Sequence, residues 1–151
     1  MNIKINDYDF SFSNLLFDSH NSVKSDYFMY LEIPSINLKR GIYDKSDSRN
    51  NIEKNVSILN ESLMPNEGCV ILAAHSGNSS VSYFNSLNRL SIGDSVFLFF
   101  NDVKYHYIVE SMDVYLKSGL KFRTDLSLKK IILVTCLDDY NYLIITAFLS
   151  T

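Results

Sequence analysis

Two cysteines, two prolines, five glycines and no tryptophan are all that this 151-residue chain holds of the residues that most often dictate special architecture. Cys69 and Cys136 are too few for a disulfide framework, and neither belongs to a Cys-x-x-Cys metal pair. His20, His75 and His106 show no ligand spacing, so no metal and no other cofactor is expected. Basic excess is missing too: 14 Lys and Arg are interspersed with 17 Asp and Glu, a net charge of −3, and the electrostatic footprint of a nucleic-acid binder is absent. No apolar run reaches the ~20 residues that a bilayer requires. Met1 to Asn14 is broken by polar residues, so neither a signal peptide nor a spanning helix is expected.

What is present is apolar and β-prone. Hydrophobic residues make up 46% of the chain, with ten Tyr and ten Phe, and the length suits one domain with a proper core. Residues 1–26 carry Phe10, Phe12, Leu15, Leu16 and Phe17 between polar residues, with Ser13 as a helix cap, and read as an N-terminal arm or helix. Residues 27–151 read as the main domain. Alternation from Tyr27 to Ile42 predicts a strand that Pro34 bends or confines to an edge. Asp44 to Asn51 is turn-like, and Ile52 to Leu63 suggests a short helix followed by a loop. Tyr83, Phe84, Leu87 and Leu90 lie at helical spacing in the segment from Val81 to Leu90. Ser95–Phe100 and Lys104–Glu110 form a hairpin around Asn101-Asp102, and Asp113–Leu116 reads as one more strand. His106, in the middle of a strand, reads as structural. Lys117 to Ser127 is a loop, the kind of segment that carries recognition on a rigid scaffold. Short strands with polar breaks predict a mainly β fold: a closed barrel of about seven or eight strands with a few short helices.

Two apolar runs end in chemically useful side chains. Lys129 to Thr135 leads into Cys136 just before the polar turn Asp138-Asp139-Tyr140-Asn141, and Tyr142 to Leu149 forms the next run. A lone cysteine is by default a small buried hydrophobe. The reading changes because Cys69 to Ala74 leads into His75 at the Gly-containing break Ser76-Gly77-Asn78. Nucleophile and acid/base are commonly distant in sequence and adjacent in space, so a Cys and a His at two strand ends make a candidate pair. Cys69 reads as a core thiol, and a disulfide to Cys136 would silence the nucleophile, since only the thiolate attacks.

These residues also carry a family resemblance. Ile132-Leu133-Val134-Thr135-Cys136 is similar to the Thr-Leu-x-Thr-Cys motif of the sortases, cysteine transpeptidases of Gram-positive cell surfaces. Gly68 to His75 resembles their histidine segment, which is followed, as here, by an aromatic-rich stretch, Tyr83 to Leu90, and a Gly93-Asp94 turn. Tyr30 to Leu38 with Gly41-Ile42-Tyr43 resembles their opening strands, and the likeness runs in order from Tyr27 to Leu149. It implies a sortase-like barrel in which Cys136 attacks a Leu-Pro-x-Thr-Gly-type sorting signal and His75 handles the protons. The acyl group would pass to a cell-surface amine such as a peptidoglycan precursor. Thr135 would position the peptide or the sulfur. Localisation on the outer membrane face is implied as well, as an ectodomain separate from its anchor or as a soluble homologue. The short 117–127 loop lacks room for the helix of class B, and the Asp-Pro-aromatic lid motif of pilin-type class C is absent, so classes A, D and E are the better match.

One family residue is missing. Sortases carry an arginine on the strand after the cysteine loop, where this chain has Tyr142, and no arginine follows Cys136. A phenol donates one hydrogen bond but brings no positive charge. Three substitutes stay open: Arg123 in the preceding loop, Tyr142 itself, or backbone amides. A catalytically impaired domain that binds sorting peptide or a partner without turnover is the alternative reading.

Overall fold

A computed structural model describes residues 26–118 and 123–151. The expected N-terminal arm, with His20, therefore lies outside the described residues. Eight strands form one sheet: β1 (Met29–Ile33), β2 (Leu38–Ile42), β3 (Ser57–Ile58), β4 (Val70–Ala73), β5 (Ser95–Phe100), β6 (Val103–Leu116), β7 (Lys130–Cys136) and β8 (Asn141–Leu149). Their order is β2-β1-β5-β6-β8-β7-β4-β3, curled into a nearly closed barrel. The fold is thus the mainly β barrel that the alternating runs predict.

Period-two alternation builds the interior. Leu31, Ile33, Val70, Leu72, Val96, Leu98, Ile131, Leu133, Ile145 and Ala147 point inward into one core. A second, smaller cluster on the outer face joins Cys69, Ile71, Ile132 and Ile144 beneath Leu59, Tyr115, Leu126 and Val134. This is why β7 reads as a continuous apolar run: both of its faces are covered.

Several local expectations are corrected. Pro34 does not bend one strand but opens a 3₁₀ turn, Pro34–Ile36, that divides the segment into the hairpin β1–β2. The stretch from Val81 to Leu90 contains no α-helix. Its bonds run three residues back, from Asn85 N to Ser82 O, Leu87 N to Phe84 O and Leu90 N to Leu87 O, and Leu87–Arg89 is a 3₁₀ turn. The buried residues Phe84, Leu87 and Leu90 repeat every three positions, the 3₁₀ period, which over so short a span resembles the α period. Ile52 to Leu63 is likewise not helical. Asparagine side chains there take the backbone's partners: Asn51 Oδ1 accepts from Glu53 N at 2.8 Å, and Asn50 brackets β3, donating to Ile58 O and accepting from Ile58 N. Asp113–Leu116 is not a separate strand but the continuation of β6 past an irregularity between Val109 and Ser111. The β5–β6 hairpin turns on Asn101 (φ 51°) and Asp102 (φ 64°), both left-handed as a two-residue hairpin of this twist demands.

The seam between edge strands β2 and β3 is closed by side chains instead of a ladder. Asn55, 1% exposed, donates to Gly41 O at 2.9 Å and accepts from Arg40 Nε, while Lys45 Nζ reaches the carbonyls of Asn60 and Ser62. Arg40 also lies over the Tyr83 ring at 4.4 Å.

One interior group is unsatisfied. Tyr107 is fully buried and its hydroxyl has no hydrogen-bond partner among the described residues; burial pushes its ionisation well above the ordinary phenol range. A buried donor without a partner carries its full desolvation cost. Tyr107→Phe is therefore expected to raise stability by about 1 kcal/mol, a gain of roughly 2–4 °C in melting temperature. Differential scanning calorimetry checks this, and a drop would mean that the hydroxyl has a partner after all.

Candidate functional site

The site is built on a parallel pair. Strands β4 and β7 run side by side in the same direction, Val70 beside Ile131 through Ala73 beside Val134, so both leave the sheet at the same rim. The pairing continues past β4: Ala74 N donates to Val134 O at 3.2 Å, Thr135 Oγ1 donates to Ala74 O at 2.8 Å, and Ser76 Oγ donates to Cys136 O at 2.6 Å. Alternation puts Cys136 on the outer face with Ile132 and Val134, and His75 on that same face with Ile71 and Ala73. On the other flank, β8 pairs antiparallel with β7 and sets Tyr142 directly opposite Cys136. Side chains of opposed residues in such a pair share a face and lie within reach of one another.

The rim is fixed locally. The carbonyl of His75 accepts from Phe84 N at 3.0 Å, and Gly77, at φ 111°, donates its amide to Asn85 Oδ1 at 2.8 Å. Buried Phe84 and Leu87 thereby anchor the segment after the histidine. His75 Nε2 pairs with Glu53 Oε2 at 3.1 Å, a carboxylate from the asparagine-rich segment beside the seam. On the far side of Cys136, Asp138 accepts from the amides of Tyr140 and Asn141 and from the Asn141 side chain. Those bonds, with the charge of Lys117 a lesser contribution, hold its carboxyl below the usual carboxylate range.

Each residue singled out from the sequence has a definite place. Cys136 and His75 stand at adjacent strand ends, with Cys136 partly exposed. Thr135 points inward, 5% exposed, and its hydroxyl is spent on Ala74 O; it clamps the two strand ends together and does not face the rim. Tyr142 is exposed beside Cys136. Arg123 is exposed, but its neighbours are moored elsewhere: Thr124 Oγ1 accepts from Lys130 Nζ at the start of β7, and Leu126 O accepts from Cys69 N at 2.9 Å. Those moorings lie six residues from Cys136, or about 20 Å along a strand. The close approach at Leu126 also explains Gly68, where a Cβ would sit 2.3 Å from Leu126 O.

Among the described residues, the other cysteine, Cys69, and the other histidine, His106, are structural. Cys69 is fully buried at the far end of β4, its thiol pushed up to about 11 by burial, and it lies too far along the strand to bridge to Cys136. His106 stacks on Phe97 at 4.5 Å and shares a 2.8 Å hydrogen bond with Ser95. Among the described residues no cluster of His, Cys, Asp or Glu could hold a metal ion, and no helix is long and apolar enough to cross a membrane.

Glu53 and Lys117 carried no signal in the sequence. Lys117, just beyond β6, donates its amide to Tyr140 O at 2.8 Å and holds its ammonium over the Tyr142 ring, 5.4 Å from the centroid. The arrangement at the rim can therefore offer a thiol, an imidazole with a carboxylate behind it, a phenol and a cation.

A sequence profile of the sortase domain matches residues 31–149. No curated protein matches the chain. Solved structures do. Sortase A from Corynebacterium diphtheriae is 22% identical with a TM-score of 0.72, covering 83% of this chain, which spans only 61% of that one. Sortase C-1 from Actinomyces oris is 23% identical with a TM-score of 0.73, over 84% of this chain and 74% of that one. Clostridium perfringens sortase C, solved with the C-terminal cell wall sorting motif, is 24% identical with a TM-score of 0.70, over 83% of this chain and 71% of that one. The barrel is thus shared by class A and class C sortases, and it does not by itself separate them.

Proposed function

Since this chain belongs to the sortase family, we propose that it is a cysteine transpeptidase in which Cys136 is the nucleophile and His75 the acid/base. The observation that carries the reading is the parallel register of β4 and β7, which brings both strand ends to one rim and one face. The Cys136 thiol gives its proton to His75, the sulfur adds to the carbonyl carbon of a sorting signal of the Leu-Pro-x-Thr-Gly type, and the π pair moves onto oxygen. On collapse the C–N bond breaks, His75 protonates the departing amine, and a thioester remains. An incoming amine, such as that of a peptidoglycan precursor, gives its proton to His75 and displaces the sulfur. Thr135 supports this by tying the two strand ends, and Tyr142 flanks the reacting atoms. A place on the outer membrane face follows from the same reading, as does a class A, D or E type, because only residues 117–129 separate β6 from β7.

The test is incubation with a library of sorting-motif peptides followed by intact mass spectrometry. A thioester adduct on Cys136 is the expected result. Tyr142, where the family has arginine, favours one rival: a domain that holds sorting peptide without turnover, which would show binding in calorimetry and no adduct.

Glu53 enters as a positioning residue for His75. Its pairing is exposed, and such pairs are worth ~1 kcal/mol or less. Glu53→Gln is expected to leave the melting temperature unchanged while slowing turnover severalfold through kcat, with KM unaltered. An unchanged kcat would remove Glu53 from the mechanism.

A further inference from the structure

Developing negative charge on the scissile oxygen needs a donor, and the obvious ones are engaged or distant. The two amides that follow Cys136 are occupied, Leu137 N on Asn141 O at 2.8 Å and Asp138 N on the same carbonyl at 3.3 Å. Thr135 faces inward, and Arg123 belongs to a segment moored at the other end of β7. Tyr142 alone adds a dipole without charge. The charged and titratable groups that the strand ends and turns bring to this rim are His75 from the end of β4, paired with Glu53, Asp138 and Asp139 in the β7–β8 turn, Tyr142 opposite Cys136 on β8, and Lys117 just beyond β6, over the Tyr142 ring.

We propose that Lys117 is the cation that acts at Cys136, seated on Tyr142 in the free protein and moving onto the scissile carbonyl oxygen as the sulfur attacks. The inference deepens the transpeptidase reading and rests on it for its chemistry. Three strands place the group. Tyr115 of β6 pairs with Tyr142 of β8, which pairs with Cys136 of β7, so the three side chains form a row across one face. Lys117 lies two residues beyond Tyr115 on that same face, and its amide bond to Tyr140 O extends the β6–β8 ladder to it. The Tyr142 ring holds the ammonium by its negative π face, an attraction weak enough in an exposed place to release it. A four-carbon stem with freely turning donors suits a group that must travel from ring to oxyanion. Asp138 sets the competition: it feels the Lys117 charge, but its Oδ1 already accepts from the Tyr140 and Asn141 amides, and the ammonium sits over the Tyr142 ring instead of in an ion pair with it. The lysine is thus left available.

The test uses the whole chain and two readouts. Cys136 is modified with an anionic (sulfonate) and a cationic (trimethylammonium) methanethiosulfonate, and the ratio of the two rates is compared between wild type, Lys117→Met and Lys117→Arg; buried Cys69 stays silent. Loss of a nearby unit charge should lower the anion-to-cation ratio about tenfold in Lys117→Met, and Lys117→Arg should preserve it. With a reactive sorting peptide, Lys117→Met should also slow thioester formation by about 10²–10³ with little change in KM, and Lys117→Arg should recover most of it. An unchanged ratio in Lys117→Met overturns the inference, as does thioester formation within twofold of wild type. If the ratio falls but wild type forms no thioester with any peptide, the charge is at Cys136 as inferred and it is the transpeptidase reading that fails.

Discussion

Cys136→Ala should erase the covalent peptide adduct, a loss of about 10⁴-fold or more in thioester formation, while the melting temperature stays within ~2 °C of wild type. Both parts come from the position of the residue. Cys136 ends β7 at the rim, partly exposed, so removing its sulfur opens no core cavity. The second thiol cannot take over. Cys69 lies fully buried at the opposite end of the parallel pair, and a thiol pushed up to about 11 supplies almost no thiolate near neutrality. The complementary variant, Cys69→Ala, should keep the adduct and lose about 1 kcal/mol of packing. Intact mass spectrometry of both variants decides. A persistent adduct in Cys136→Ala would move the nucleophile elsewhere.

The second large effect is one of stability. Asn55→Ala should cost about 2–4 kcal/mol, because it strips the seam of its bridge and leaves Gly41 O and the Arg40 guanidinium short of partners in a water-poor place. The loss should spread to the site. Asn55 N and Lys54 N both bond to Asn51 O, so the turn that presents Glu53 to His75 hangs from the same segment. Urea unfolding gives the free energy, and a midpoint shift corresponding to less than ~0.5 kcal/mol would show that water replaces the amide at no cost.

The strands and the two rim residues were legible because apolar runs that end abruptly are what central strands look like from inside the sequence. Leu133 and Val134 point to opposite faces and are both covered, and the run stops at Cys136 because the barrel stops there. The arrangement of the helical-looking and turn regions was less legible. Over Phe84, Leu87 and Leu90, the difference between the 3₁₀ and α periods is smaller than the pattern can resolve. The break that seemed to end β6 at Glu110 is an irregularity inside one long strand, and a shifted register inverts the alternation beyond it. Glu53, Asn55 and Lys117 were invisible for a common reason. Each is a polar residue whose partner is distant in sequence or set by the curl of the sheet, and no periodicity marks such a residue. Arg123 was chosen for its charge and its loop; the bonds of its neighbours Thr124 and Leu126, made with Lys130 and Cys69, carried no signal in the sequence either.

The parallel pairing of β4 with β7 also governs when the site comes into existence. Every other ladder in the described sheet is antiparallel, and this one joins strands with β5 and β6 between them in the chain. Closing so long a loop must precede any return from the contact, which makes the pairing slow compared with the β5–β6 hairpin. Strand β7 is inserted between β4 and β8, both of its edges being used, so β4 keeps a bare edge until β7 itself has emerged and docked. During that interval the sulfur of Cys136 has no histidine beside it. If Cys136 and His75 act as proposed, the nascent polypeptide lacks the pair, and only completion of the barrel assembles it.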